Sequence, residues 1–378
     1  IGEISMLSRD KLYRFIANYK NRLPFSRGDK TVKQFLETFY DGYISELKCI
    51  SDNRDENCLF RQEAYDLVSS KINIIKTLCD DILQCLEYYD CAKMETLYRH
   101  FDEMMNKVLP YLYIEYISKQ NFYRIRTSSY ELNREGLFHI PMNLRQIIKS
   151  YRYSIPGYPC LYLATGLQLS WFECGMPEGF YYSIFKLQPK GRPIEVLDFG
   201  QQPIDFISGI SAQYQNATND FQKQGLEQRI LKYLVSFPLM TACSLSVENR
   251  DVAFVEEYIF PQQLLLWLRG RTNYDGILYR TCSSIEKARD WNYINLVMPA
   301  RQISPQGYCE HLNDLFVVSE PKRVSLSLHR CNGCRSRWGS KAPHPWWKAS
   351  TARHRRRARG TCFRRTRCSQ RRAKRPFP

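Results

Sequence analysis

Within the stretch 151–175, YRYSIPGYPCLYLATGLQLSWFECG, stand an arginine, a tyrosine and a glutamate able to do chemistry: Arg152, Tyr162 and Glu173. A carboxylate held in place can stabilise positive charge as it develops in a reaction, and a guanidinium grips an anion with its planar fork. A second polar stretch is NFYRIRT (121–127), in which Phe122, Arg124 and Arg126 alternate with Tyr123 and Ile125. An arginine on a half-buried strand needs an anion, either a carboxylate of the protein or a phosphate-bearing ligand, which its fork binds bidentately. Plainer readings stand beside these. Glu173 also fits a solvated helix face, and Tyr162 also fits a core position.

The elements that must position these residues can be read from local pattern. Pro156, Gly157 and Pro159 mark a turn, and Cys160–Ala164 follows as a short strand with Leu161 and Leu163 on one face and Tyr162 on the other. Thr165-x-x-Gln168 is a capping-box pattern that opens a helix bearing Leu167, Trp171, Glu173 and Cys174. Upstream, helical periodicity runs through Lys33–Leu47, Ala64–Tyr88 and Ala92–Leu109, where Pro110 stops it. Residues 1 to about 115 therefore read as a helical bundle. Downstream, Phe180–Leu187 and Pro193–Phe199 read as strands, 201–224 as an irregular loop or surface helix, and Leu226–Phe237 as helix. Leu239–Val247 reads as a buried strand, Tyr258–Arg269 as helix, and the segments around Ile277–Tyr279 and Asn292–Pro299 as strands. These segments predict an α+β fold, a helical bundle followed by a mixed sheet.

Arg152-Tyr-x-x-x-Gly-x-x-x-Leu-Tyr-Leu-Ala, followed by Glu173 eleven residues after Tyr162, resembles the central motif of RES domains. That family comprises toxins of bacterial toxin–antitoxin pairs with an ADP-ribosyltransferase-like fold and an attack on NAD+. The resemblance implies Glu173 as the catalytic carboxylate and Arg124, Arg152 and Tyr162 as residues that hold NAD+. It covers residues 118–316, implies an Xre-type antitoxin as partner, and requires no metal. The family serine, two residues after the tyrosine of an Asp-Gly-Ile-x-Tyr-like strand, is replaced here by Thr281, with Ser283 two further along. Asn295, with Asn292, belongs to the same region. The reaction implied breaks the nicotinamide–ribose bond of NAD+, its substrate, and passes the ADP-ribosyl unit to water, phosphate or a protein. RES domains also occur with an amino-terminal HEPN-type partner, and residues 1–117 resemble one. The Arg and His spacing of HEPN nucleases is absent, since His100 directly follows Arg99.

Charge divides the chain. Of its 55 Lys and Arg, 19 lie in residues 321–378, which hold no Asp or Glu, so the rest carries 36 basic against 38 acidic residues. Residues 317–378 read as a basic disordered tail, either an arm that binds nucleic acid non-specifically or a frame-shifted segment. Cys331-x-x-Cys334 with Cys362 and Cys368 hints at zinc, but the second pair has the wrong spacing for it. No run of 18 or more apolar residues and no signal-peptide pattern stands in the chain, and the scattered cysteines read as reduced thiols, so the expectation is a cytoplasmic protein with no membrane partner. The competing functional expectation is a non-catalytic protein that binds RNA or a partner through its helices and tail and carries a degenerate RES domain.

Overall fold

The computed structural model describes residues 10–19, 23–51, 58–188, 191–248, 252–271, 273–282, 293–301 and 306–326. Ser283, Asn292 and residues 327–378 lie outside the described residues, including the four cysteines of the tail. The fold is α+β, with an amino-terminal helical region followed by a mixed sheet.

Five helices come first: α1 (Lys11–Asn18), α2 (Val32–Ser51), α3 (Gln62–Ser69), α4 (Ile72–Asp90) and α5 (Met94–Val108). Asp10 caps α1 through the amide of Tyr13 (2.8 Å) and holds the amide of Phe60 (3.0 Å) and the hydroxyl of Tyr65 (3.0 Å), so one buried carboxylate ties the starts of α1 and α3. The single helix expected over Ala64–Tyr88 is two, α3 and α4, parted at Ser70 and Lys71. Tyr65 and Val68 face the core of the first, and Ile75, Leu78, Ile82 and Leu86 that of the second.

Strands β1 (Ile114–Ile117), β2 (Asn121–Arg126), β3 (Cys160–Ala164), β4 (Gly179–Leu187), β5 (Ile194–Phe199), β6 (Gly276–Tyr279), β7 (Asn295–Pro299), β8 (Phe316–Val318) and β9 (Lys322–Ser325) form one sheet in the order β1-β5-β6-β7-β3-β2-β4-β8, with β9 also paired to β4. Among the strands of the described residues, only β5 and β6 pair in parallel. Alternation along the strands sends Cys160, Leu197, Phe199, Ile277 and Val297 into the core shared with the helices. Leu161, Leu163, Val196, Leu278 and Leu296 point to the opposite face, where they meet Phe122, Phe185 and the helix Glu310–Leu315.

Between strands run α6 (Leu167–Glu173), α7 (Pro203–Gln215), α8 (Asp220–Cys243), α9 (Ile259–Arg269) and α10 (Glu310–Leu315). The strand expected at Leu239–Val247 is not formed; α8 continues through Pro238 to Cys243. From Ile230 onward nearly every side chain of α8 is buried, so apolar residues on all sides erase the helical period and the segment reads like a buried strand. Pro238 has no N–H for the carbonyl of Leu234, and the hydroxyl of Tyr43 on α2 donates to that carbonyl instead (2.8 Å). Tyr40, one helical turn before Tyr43, donates to Pro238 O (2.8 Å).

The first residues of the expected tail, from 317 on, are strand. Phe316–Val318 and Lys322–Ser325 both pair with β4, and Arg323 lies over the Tyr181 ring, so the apolar residues of this segment complete the sheet edge despite its basic composition. The ten cysteines within the described residues are free thiols. No helix among the described residues is long and apolar enough to cross a membrane.

Candidate active site

Between β2 and β3 the sheet parts. β2 pairs with β4 along its whole length, but meets β3 only where Tyr123 faces Ala164. Beyond that rung β3 gives β2 no partner, and α6 fills the gap. Ser170 Oγ donates to Tyr123 O (2.9 Å), and Cys174 Sγ lies 4.0 Å from Ile125 O. Arg124 spans the same seam, with Nη1 donating to Tyr162 O at 2.7 Å.

The start of α6 differs from the expected capping box. Thr165 extends the β3–β7 ladder, its amide donating to Ile294 O and its hydroxyl accepting from Ile294 N, each at 2.9 Å. The cap falls to Gly166, which has no side chain to offer; a Cβ there would lie 2.5 Å from the Tyr293 ring. The helix ends with Met176 N bonded to Trp171 O and Gly175 at φ 82°, a Schellman-type stop. Glu173 is its last residue.

The half-buried Glu173 accepts from Asn295 Nδ2 at 3.2 Å. Asn295 is buried at the start of β7, opposite Ala164 of β3 and Tyr279 of β6, so the carboxylate is reached from the middle of the sheet. Thr281 lies two residues beyond Tyr279 and is also buried. The structure thus joins Glu173 and Asn295 directly and places α6, which carries Glu173, against the strand that carries Arg124.

Arg124 is the electrostatic anomaly of the seam. Nη1 is taken by the Tyr162 carbonyl, whereas Nε is sealed from solvent and makes no hydrogen bond among the described residues. No carboxylate among them forms an ion pair with it. A second cation, Arg126, acts on it, and Arg126 Nη2 donates to the carbonyl of Phe138 (3.4 Å). Burial, reinforced by Arg126, lowers the Arg124 pKa to about 10. The parallel N–H pair along Nε and Nη2, the edge that grips phosphate or carboxylate, has no partner among the described residues. Nearby, burial lowers the His139 pKa to about 4, with Arg124 adding to the effect; Nδ1 faces Ile140 O (2.8 Å) and Nε2 accepts from Cys309 N (2.8 Å).

Two expected ligands take other positions. Arg152 donates from Nη1 to Cys243 O (3.0 Å) and from Nη2 to Leu245 O (2.6 Å), with its guanidinium over the Tyr258 ring. The anion it meets is the negative carboxyl end of α8, so it is not brought to the seam. Tyr162 turns its ring to the helical face, where its hydroxyl shares a 2.9 Å hydrogen bond with Ser154 Oγ, and burial raises its pKa well above the usual phenol value.

Sequence reasoning missed Ser170, which anchors the wedge, and Ser183, the direct partner of Arg124 across β2 and β4. A signal for Ser183 exists: within FYYSIFKL it is the small polar residue on a strand otherwise aromatic and aliphatic but for Lys186 near its end.

Compared with known proteins, the chain is 30% identical over 333 residues to the protein named "Putative toxin YopC" of Bacillus subtilis (strain 168), covering 82% of this chain and 70% of that protein. No family profile matches the chain. No solved structure matches it either.

Proposed function

Given that this chain belongs to the family of the Bacillus subtilis YopC protein, we propose that it is a toxin of the RES type that consumes NAD+. The observation that supports this reading most is the open Nε/Nη2 edge of Arg124, a partly buried cation with its Nε sealed from solvent and no counter-ion among the described residues, beside the helix that presents Glu173. A buried charge is normally paired, and an arginine left with its bidentate edge unused fits an anionic ligand. Its fit to the diphosphate of a dinucleotide leaves the ribose end for Glu173.

In the proposed reaction the bond between ribose C1′ and the nicotinamide nitrogen breaks, and its electron pair leaves with nicotinamide. The positive charge so created on the ribose ring is stabilised by the Glu173 carboxylate, held in place by Asn295. Water, phosphate or a protein nucleophile then takes the ADP-ribosyl unit. Thr281 retains a hydroxyl for the role of the family serine. On this reading the partner protein is an antitoxin of the Xre type, and the ADP-ribosyltransferase-like description of the sheet is part of the same proposal.

The test is incubation of the purified full chain with NAD+, with products followed by mass spectrometry. Release of nicotinamide is expected, and Glu173→Gln should lower turnover by roughly 10²–10³, the scale of losing one electrostatic stabiliser, with an unchanged melting curve. Glu178→Gln, beyond the helix stop, should match wild type. Wild-type turnover in Glu173→Gln would remove this carboxylate from the mechanism, and the absence of any NAD+ consumption would remove the reaction.

A further inference from the structure

Ser183 stands directly opposite Arg124 in the antiparallel β2–β4 ladder, so their side chains leave the sheet on the same face as neighbours. Ser183 is wholly buried, and its Oγ has no hydrogen-bond partner among the described residues; the same is true of Arg124 Nε. Two unsatisfied polar atoms on one cross-strand pair are unusual, because each normally costs stability and one could have served the other. The adjoining rungs are aromatic on one side and hold a second cation on the other. Phe122 faces Phe185 on one side, and Arg126 faces Tyr181 on the other, with Leu132 and Leu137 packed over the tyrosine.

We infer that Ser183 Oγ and the Nε/Nη2 edge of Arg124 together form the seat for one phosphate-type oxygen. Charge distinguishes this occupant from a buried water. Nε and Nη2 can only donate, and the hydroxyl can turn its proton the same way, so an anionic oxygen can accept from all three. A water there could also bond them, the serine hydroxyl accepting one of its hydrogens, but it would leave the guanidinium charge without a counter-ion. An anionic oxygen needs donors alone, and its charge offsets the buried guanidinium. Arg124 is only partly buried as a residue.

This inference rests on the NAD+ reading only for the identity of the anion, a dinucleotide diphosphate; the seat itself is a statement about phosphate chemistry. It is tested by calorimetric titration of the full chain with inorganic pyrophosphate and, separately, orthophosphate. Ser183→Ala should weaken pyrophosphate binding about tenfold or more, the effect of a hydrogen bond to a charged group. Its melting temperature without added anion should be equal to or above that of wild type, since the hydroxyl removed has no partner. Tighter binding of pyrophosphate than of orthophosphate identifies a diphosphate seat, and equal binding a seat for a single phosphate.

Wild-type pyrophosphate affinity in Ser183→Ala would overturn the inference, as would a lowered melting temperature, which would reveal a structural bond. The two proposals fail separately. Pyrophosphate binding that depends on Ser183 in a protein that does not consume NAD+ keeps the seat and removes the reaction. NAD+ consumption with the same KM in wild type and Ser183→Ala keeps the reaction and removes the seat.

Discussion

Replacing Arg124 with methionine separates a ligand-binding arginine from a structural one. The substitution keeps the length of the side chain and removes its charge. In the fold, burial and Arg126 lower the Arg124 pKa from 12.5 to about 10, which corresponds to about 3 kcal/mol for keeping the charge in place. Methionine relieves that cost. It also removes the hydrogen bond to Tyr162 O, and leaving that carbonyl unsatisfied costs about 1–3 kcal/mol. The two effects nearly offset, so Arg124→Met should stay within about 2 kcal/mol of wild type in urea unfolding, with an unchanged denaturant slope. NAD+ consumption by the same sample should be lost. An arginine that serves as a strut behaves differently: breaking a buried charge pair costs about 3–5 kcal/mol. A loss of that size, with activity falling only as the protein unfolds, would refute the argument that the unpaired edge of Arg124 is there for a ligand.

Arg124→Lys should raise the KM for NAD+ more than Arg126→Lys does in steady-state kinetics, because an ammonium keeps charge but loses the fork. His139 has a folded pKa of about 4, below its usual 6.5, so the unfolded chain takes up the proton first and stability is complete above about pH 6.5. It should fall as the pH drops toward 4, by up to about 3 kcal/mol, and a His139→Gln variant followed by urea unfolding should lack that segment of the pH dependence. Removing residues 327–378 should leave the melting temperature of the body unchanged, whereas ending the chain at residue 320 removes β9, bares the Gly179–Tyr182 edge of β4 and should lower both melting temperature and solubility.

The short strands were legible because their signals are local. Alternation in 121–127 and turn residues before Cys160 locate β2 and β3 within a residue, and Glu173 is on a helix as its spacing requires. What decides the site is not local. The seam exists because β3 pairs with β7, distant in the chain, while β2 turns to β4, and no spacing within 121–175 encodes that choice. Arg152 shows the same limit: its sequence context calls for an anion but does not say that the anion is a helix end. Thr165 has the residue type of a cap, yet the neighbouring strand claims its hydroxyl. Along α8, complete burial removed the polar face from which a helix is recognised.

The tyrosine that completes the proline-broken turn of α8 bears on how this protein can be rearranged. Tyr43 comes from a helix that precedes the whole sheet in sequence, yet it supplies a donor that the backbone of α8 lacks. A fragment that begins at residue 114 would carry the described sheet and α8 but leave the Leu234 carbonyl, and the apolar surface around it, without their cover. The amino-terminal helices thus act as an internal chaperone for a helix that cannot complete its own bonding, and shuffling the later segment into another protein would require a replacement for that hydroxyl.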